Sequence, residues 1–288
     1  MKKISVFSAY FELTKPRILN LVLVTTALGF YLGGKGIHNF TLLFFLLLGA
    51  ALVCAGSGVL NNYVERDFDC KMLRTKNRPI PAGIISPSCA LNFGIILILS
   101  GLIILYLKVN LLTSFLSLLT AFLYVLVYTP MKRISWLNTT IGSIPGAIPP
   151  MGGWAAATGT IDLGAWILFF ILFLWQHPHF YAIAWIFKED YKRGGFKMLP
   201  VIEPDGKRTF EQIILFSLIL IPVSLLPSLI GLSGPIYLVG SLLLGLQLLF
   251  LGRQLTQTKS LADAQKLLKA TVIYLPILLV LILVDGTF

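Results

Sequence analysis

The sequence predicts an all-α fold: a polytopic membrane protein of about nine transmembrane helices around a central cavity opening toward the cytoplasm. Three observations predict it. Of the 288 residues, 57% are hydrophobic and only 12% charged, whereas soluble domains carry about 25% charged residues. The uncharged runs are long: Ile18–Gly34, Phe40–Leu60, Ser88–Leu107, Val109–Met131, Ile134–Ile161, Leu163–Phe187, Gln212–Gly252 and Ala270–Val284. About 20 mostly apolar residues span a bilayer. Finally, the cations segregate. With the N-terminus in the cytoplasm and the spans alternating, 21 of the 23 Lys and Arg residues fall in inside loops, and only Lys35 and Lys108 fall outside. That asymmetry is the positive-inside rule. The net charge of +11 is therefore mostly topology, with the lipid bilayer and no nucleic acid as partner.

In chain order, residues 1–17 form a cytoplasmic tail carrying Lys2, Lys3, Lys15 and Arg17, and Pro16 suits a helix start. Lys15 and Arg17 read chiefly as helix anchors at the interface, with a substrate role as the alternative. The second span ends at Asn61 and Asn62. Four glycines and three prolines then fall inside one spanning run, Ile141–Trp154, a large departure from helix propensity. Broken helices at membrane depth line cavities or pack tightly within protein, so this run reads as a chamber wall, with close packing as the alternative. The Gln212–Gly252 run is long enough for two spans and breaks at Gly231–Pro235. The whole of 1–288 reads as one domain, with cytoplasmic loops at 61–87 and 188–211. Cys54, Cys70 and Cys89 have no paired spacing and are expected as free thiols. The N-terminus shows no cleavage pattern or transit-type leader, which favours a bacterial plasma (inner) membrane.

Chemistry concentrates in Asn61–Gly83. This stretch holds the acids Glu65, Asp67 and Asp69 and the cations Arg66, Lys71, Arg74, Lys76 and Arg78. If the helix continues, Asn61, Glu65 and Asp69 at i, i+4 and i+8 lie within about 80° of one another on one face. Oxygen donors on one face suit Mg²⁺, which takes one or two carboxylates together with substrate phosphates. The cations after them suit phosphate oxygens. Together they suggest a metal–diphosphate site; the alternative is a solvated, salt-bridged loop. A second stretch, Lys188–Val201, repeats the theme with Glu189 and Asp190 among Lys192, Arg193 and Lys197, on the same predicted side. Lys132 and Arg133 follow the fourth span. In the sixth, His177 and His179 flank Pro178; residues at i and i+2 do not share a helix face, so both are not expected on one ligand.

These residues carry a resemblance. Asn61–Gly83 resembles the first acidic motif of the intramembrane (UbiA-type) prenyltransferases, an Asn with acids four and eight residues on, then R-x-x-R-P. R-T-K-N-R-P, Y-T-P-M-K-R, N-T-T-I-G-S-I-P-G-A-I-P-P-M-G-G-W, P-H-F-Y-A-I-A and D-Y-K-R-G-G-F-K-M-L-P-V, in this order over residues 61–201, are similar to the haem-farnesylating branch of that superfamily. The resemblance implies farnesyl transfer from farnesyl diphosphate to the 2-vinyl group of haem B (protohaem IX), with addition of water. It further implies Mg²⁺ held by Asn61, Glu65, Asp69 and Asp190. Arg66, Arg74, Lys76, Arg78, Lys132, Arg133 and Lys192 would bind the diphosphate, and His179, His177 and Trp154 are candidates for the haem acceptor. Tyr63, Tyr128, Phe180 and Tyr181 join Trp154 as aromatics able to shelter an allylic cation. A downstream haem-modifying enzyme or a terminal oxidase assembly is an implied partner. Two positions depart from the superfamily pattern. The middle acid, commonly Asp, is Glu65, and Gly194 stands where an acid four residues after Asp190 would complete a second motif; the number of Mg²⁺ ions stays open.

Two other readings compete. One is a prenyltransferase acting on a quinone precursor or another aromatic acceptor. The other is a small-solute transporter with a broken-helix site at the midplane, which the placement of nearly all acids at the cytoplasmic edge disfavours.

Overall fold

The computed structural model describes residues 5–286, so Lys2 and Lys3 lie outside the described residues. A short α1 (Val6–Leu13) precedes α2 (Pro16–Gly33), α3 (Phe40–Asp69) and α4 (Pro87–Lys108). The span Leu111–Met131 is composite: α5 (Leu111–Phe122), a π-helix (Leu123–Tyr128) and α6 (Thr129–Met131). Then come α7 (Asn138–Thr158) and α8 (Leu163–Ile186), the short α9 (Lys188–Arg193) and α10 (Leu199–Ile202), and finally α11 (Lys207–Leu229), α12 (Pro235–Thr258) and α13 (Leu261–Val284). No strand occurs among the described residues. Eight of these helical spans are long and apolar enough to cross a membrane. The ninth expected span, α7, has the length at 21 residues but carries Pro145, Pro149 and Pro150 inside it. The chain is a multi-pass membrane protein.

Helix length positions the site. At 1.5 Å per residue, the 30 residues of α3 reach about 45 Å, beyond a hydrocarbon core of about 30 Å. The excess falls at the C-terminal end, so Asn61–Asp69 continue the helix past the greasy run. The expected single face for Asn61, Glu65 and Asp69 is thus built, and all three are buried. At the neighbouring helix start, Pro16 stands in the first turn of α2 and Lys15 caps it in a left-handed conformation, φ 54°.

Small residues set the helix spacing. A Cβ on Gly56 of α3 would lie 2.6 Å from the Gly94 carbonyl oxygen of α4, and one on Gly101 2.7 Å from that of Gly49. Both glycine pairs repeat at seven residues, so the two backbones touch along a stripe. The same close approach explains α7. Gly153 meets the backbone of Thr26 and Gly29 meets that of Pro150 across the α2–α7 contact; Gly146 accommodates the Gln176 amide and Gly142 the Tyr128 ring. The expectation of a chamber wall is therefore replaced at these positions by close packing. Gly152 alone of the four glycines has no atom near its missing side chain. α8 is the most enclosed candidate span, 67% buried in its apolar window against 44% or less for the others, and it lies among α7, α11 and α13. Apolar side chains such as Ile96, Leu99, Ile103, Leu243 and Phe250 face outward, as a lipid-solvated surface requires.

Candidate active site

Asn61, Glu65 and Asp69 form one wall, and three cations from three parts of the chain close on it. Lys132, just beyond the composite span, donates to Glu65 Oε1 at 2.6 Å. Arg78 returns from the loop after α3 to donate from Nη1 to Asp69 Oδ2 at 2.7 Å, and lies 3.9 Å from Glu65 Oε2. The loop is folded back to allow this: Thr75 Oγ1 donates to the Asp69 carbonyl and the Arg78 N–H to the Thr75 carbonyl. Lys15 is the third. Its Nζ donates to Asn61 Oδ1 and, at 3.2 Å, to the Tyr124 hydroxyl. Lys15 was expected chiefly as an interfacial anchor; its left-handed backbone turns it into the site instead.

The cations differ electrically. Burial alone would lower the Lys132 ammonium, but the Glu65 carboxylate outweighs burial and holds it above its ordinary range. Lys15 has an amide and a phenol for partners and no carboxylate. Burial, with Arg78 nearby, pushes its ammonium down to about 7. The cluster carries two carboxylates against three cations, so it is short of negative charge. One oxygen is unused: Asp69 Oδ1 is buried without a hydrogen-bond partner. An orphaned carboxylate oxygen beside Glu65 fits a hard cation brought in with an anionic substrate.

The remaining predicted residues fall elsewhere. Asp190 accepts the backbone N–H groups of Leu73 and Arg74 at 3.0 and 3.1 Å and pairs with Arg193. Burial would raise its carboxyl, but these hydrogen bonds outweigh it and the net shift is downward. The two acid-and-base loops therefore do meet, with Asp190 bracing the turn after α3 rather than joining Glu65 and Asp69. Arg66 donates to the Tyr63 carbonyl and stacks on the Tyr63 ring, Arg74 lies over Phe187 and Tyr191, and Arg133 over Phe68. Lys76 and Lys192 are exposed. His177 bonds the Phe173 carbonyl and Thr140 and stacks on Phe216, whereas His179 bonds Thr271 and stacks on Trp175. The two rings look different ways, as their spacing demands. Trp154 packs on Gly33 and Gly164, near the end of α7 remote from Lys132. Tyr128, by contrast, is at the site, its ring 4.5 Å from Lys132 Nζ.

A ridge of acids faced by cations, at the end of an intramembrane helix bundle, suits a group-transfer enzyme acting on a diphosphate. The UbiA prenyltransferase family model matches residues 22–275, and the chain belongs to this family; it is a prenyltransferase. Among solved structures, a digeranylgeranylglyceryl phosphate synthase superposes with a TM-score of 0.82 at 19% identity, over 98% of this chain and 99% of that one. A UbiA homologue from Archaeoglobus fulgidus bound to GPP and Mg²⁺ does so at 0.70 and 18% identity, over 96% of this chain and 99% of that one. In sequence, the chain is 45% identical to the protoheme IX farnesyltransferase of Solibacter usitatus (strain Ellin6076), over 96% of this chain and 98% of the relative.

Proposed function

We infer that this chain transfers the farnesyl group of farnesyl diphosphate to the 2-vinyl group of haem B. Water is added, and haem O and diphosphate are released. The observation that carries the reading is the face of Asn61, Glu65 and Asp69 opposed by Lys15, Arg78 and Lys132, in a chain so similar to a protoheme IX farnesyltransferase.

The chemistry requires the C1–O bond of the prenyl diphosphate to break, with the electron pair leaving on oxygen. Lys15, Arg78 and Lys132 are fixed where that charge grows, and pre-aimed cations in a water-poor site stabilise it strongly. Glu65 and Asp69 would hold Mg²⁺, with the unpartnered Asp69 Oδ1 available to it, and the ion would supply positive charge to offset that of the diphosphate. Asn61 fixes Lys15. The terminal vinyl carbon of haem B then bonds to C1 of the allylic cation. The positive charge passes to the carbon next to the porphyrin ring, and water takes it, losing a proton. Tyr124 and Tyr128 present aromatic faces beside the departing diphosphate, and Asp190 braces the Arg74-bearing turn that follows α3. On the acceptor side His179 is the candidate, half-buried with one ring nitrogen on Thr271. The acids and cations lie on the cytoplasmic side of a bacterial inner membrane, with the N-terminus inside. A membrane-bound haem-modifying enzyme or terminal oxidase assembly would take up the product.

The test is turnover of the purified protein with haem B, farnesyl diphosphate and Mg²⁺, read by mass. Haem O is the expected product. Prenylation of an aromatic acid without haem O would refute the acceptor assignment.

A further inference from the structure

The fourth span is not α-helical throughout. Residues Leu123–Tyr128 form a π-helix, which takes in about one extra residue per turn. The chain beyond it is rotated by about 100° relative to an unbroken α-helix. Lys132 lies in that rotated part, so its direction toward Glu65 depends on the π turn being kept.

Thr129 closes that turn. Its N–H donates to the Tyr124 carbonyl, five residues back, and its hydroxyl donates to the same carbonyl at 2.8 Å. Pro130 has no N–H to offer the preceding carbonyls, so the usual i→i−4 ladder does not compete there. The Thr129 hydroxyl oxygen in turn accepts Asn61 Nδ2 at 2.9 Å. Asn61 Oδ1 accepts Lys15, and Lys15 reaches the Tyr124 hydroxyl. Lys15, Asn61, Thr129 and Tyr124 thus form a closed ring of hydrogen bonds that joins three helices. Thr129 and Asn61 are each only 1% exposed, so water does not replace a lost member.

We propose that Thr129 is a positioning residue: its hydroxyl, held by Asn61, locks the π turn and thereby aims Lys132 and Tyr124 at the diphosphate. This rests on the diphosphate reading of the site. Thr129→Val keeps the shape and removes the hydroxyl, leaving Asn61 Nδ2 buried without an acceptor. The full chain in detergent, with Mg²⁺, is titrated with inorganic diphosphate, and KM is measured for both substrates. Thr129→Val is expected to weaken diphosphate binding about tenfold and to raise KM for farnesyl diphosphate by a similar factor, leaving KM for haem B unchanged. Thr129→Ser is expected to bind like the wild type. Wild-type affinity in Thr129→Val, equal loss in Thr129→Ser, or equal rises in both KM values would overturn the proposal. If valine prevents accumulation, Thr129→Ser against Thr129→Ala isolates the hydroxyl in the same way. A wild-type protein that binds no diphosphate would overturn the underlying reading of the site, and is distinguishable from all of these.

Discussion

Lys15→Met should make the protein more stable and less active at once. Methionine matches the length of the lysine stem and removes the charge. In the folded chain Arg78 and Lys132 hold the two carboxylates, while Lys15 reaches only Asn61 and Tyr124. Its ammonium is pushed from 10.5 to about 7 by burial and by Arg78. At about 1.36 kcal/mol per unit, holding lysine here costs on the order of 4 kcal/mol near pH 7. Against this, the variant leaves the Asn61 oxygen without its donor, a loss of about 1–3 kcal/mol. The net expectation is a gain on the order of 1–3 kcal/mol, read as a raised unfolding temperature in detergent. The pH sign comes from linkage. Between about 7 and 10.5 the unfolded wild type binds more protons than the folded one, so its stability rises with pH and the advantage of the variant shrinks. Activity moves the other way. Losing one charge-assisted hydrogen bond to a diphosphate oxygen removes about 1.5–3 kcal/mol, a fall of roughly 10- to 150-fold in kcat/KM for farnesyl diphosphate. An unchanged kcat/KM would refute the role given to Lys15. A variant both less stable and less active would refute the claim that its charge is uncompensated.

Asp69→Asn and Glu65→Gln should each lower kcat by about 100-fold or more, because cation holding at the leaving group is lost, while the folded protein still accumulates; full turnover in both would remove the metal assignment. Asp190→Ala should leave the Leu73 and Arg74 N–H groups unbonded and speed tryptic cleavage at Arg74 and Lys76 several-fold, with Asp190→Asn intermediate; equal cleavage rates would show that the brace is not made. Gly153→Leu should fail to accumulate in the membrane, since a side chain there meets the Thr26 backbone; normal yield would contradict the α2–α7 packing. His179→Ala should raise KM for haem B and leave that for farnesyl diphosphate within twofold; parallel rises would end its acceptor role.

Much of the fold is legible because membrane proteins write their topology in hydropathy and charge. The face of Asn61, Glu65 and Asp69 is readable from spacing alone, since a helix long enough to leave the bilayer must carry i, i+4 and i+8 together. Lys132 and Arg78 stand at the same end of the bundle as Glu65 and Asp69. Lys15 is harder, because its direction is set by one left-handed residue before Pro16, and a lysine beside a proline looks like any interfacial anchor. Asp190 is hard to place for another reason: its surroundings repeat the composition of the first loop, while its oxygens accept the Leu73 and Arg74 N–H groups and pair with Arg193, contacts that sequence does not display. The glycines of α7 announce something unusual without saying whether a cavity or a neighbouring backbone requires them. The π-helix leaves no hydropathic trace at all, and only the pairing of Thr129 with Pro130 hints at it.

The return of Arg78 to Asp69 has a consequence for how the chain is made. α3 emerges from the ribosome with two carboxylates on its face, while Lys132 lies 67 residues beyond Glu65. At about 5–20 residues per second, that lysine arrives roughly 3–13 s later. Arg78, only nine residues past Asp69, is available almost at once. Arg78 is therefore the first of these cations synthesised after the acids, and Lys132 can join Glu65 only after the fourth span has been made.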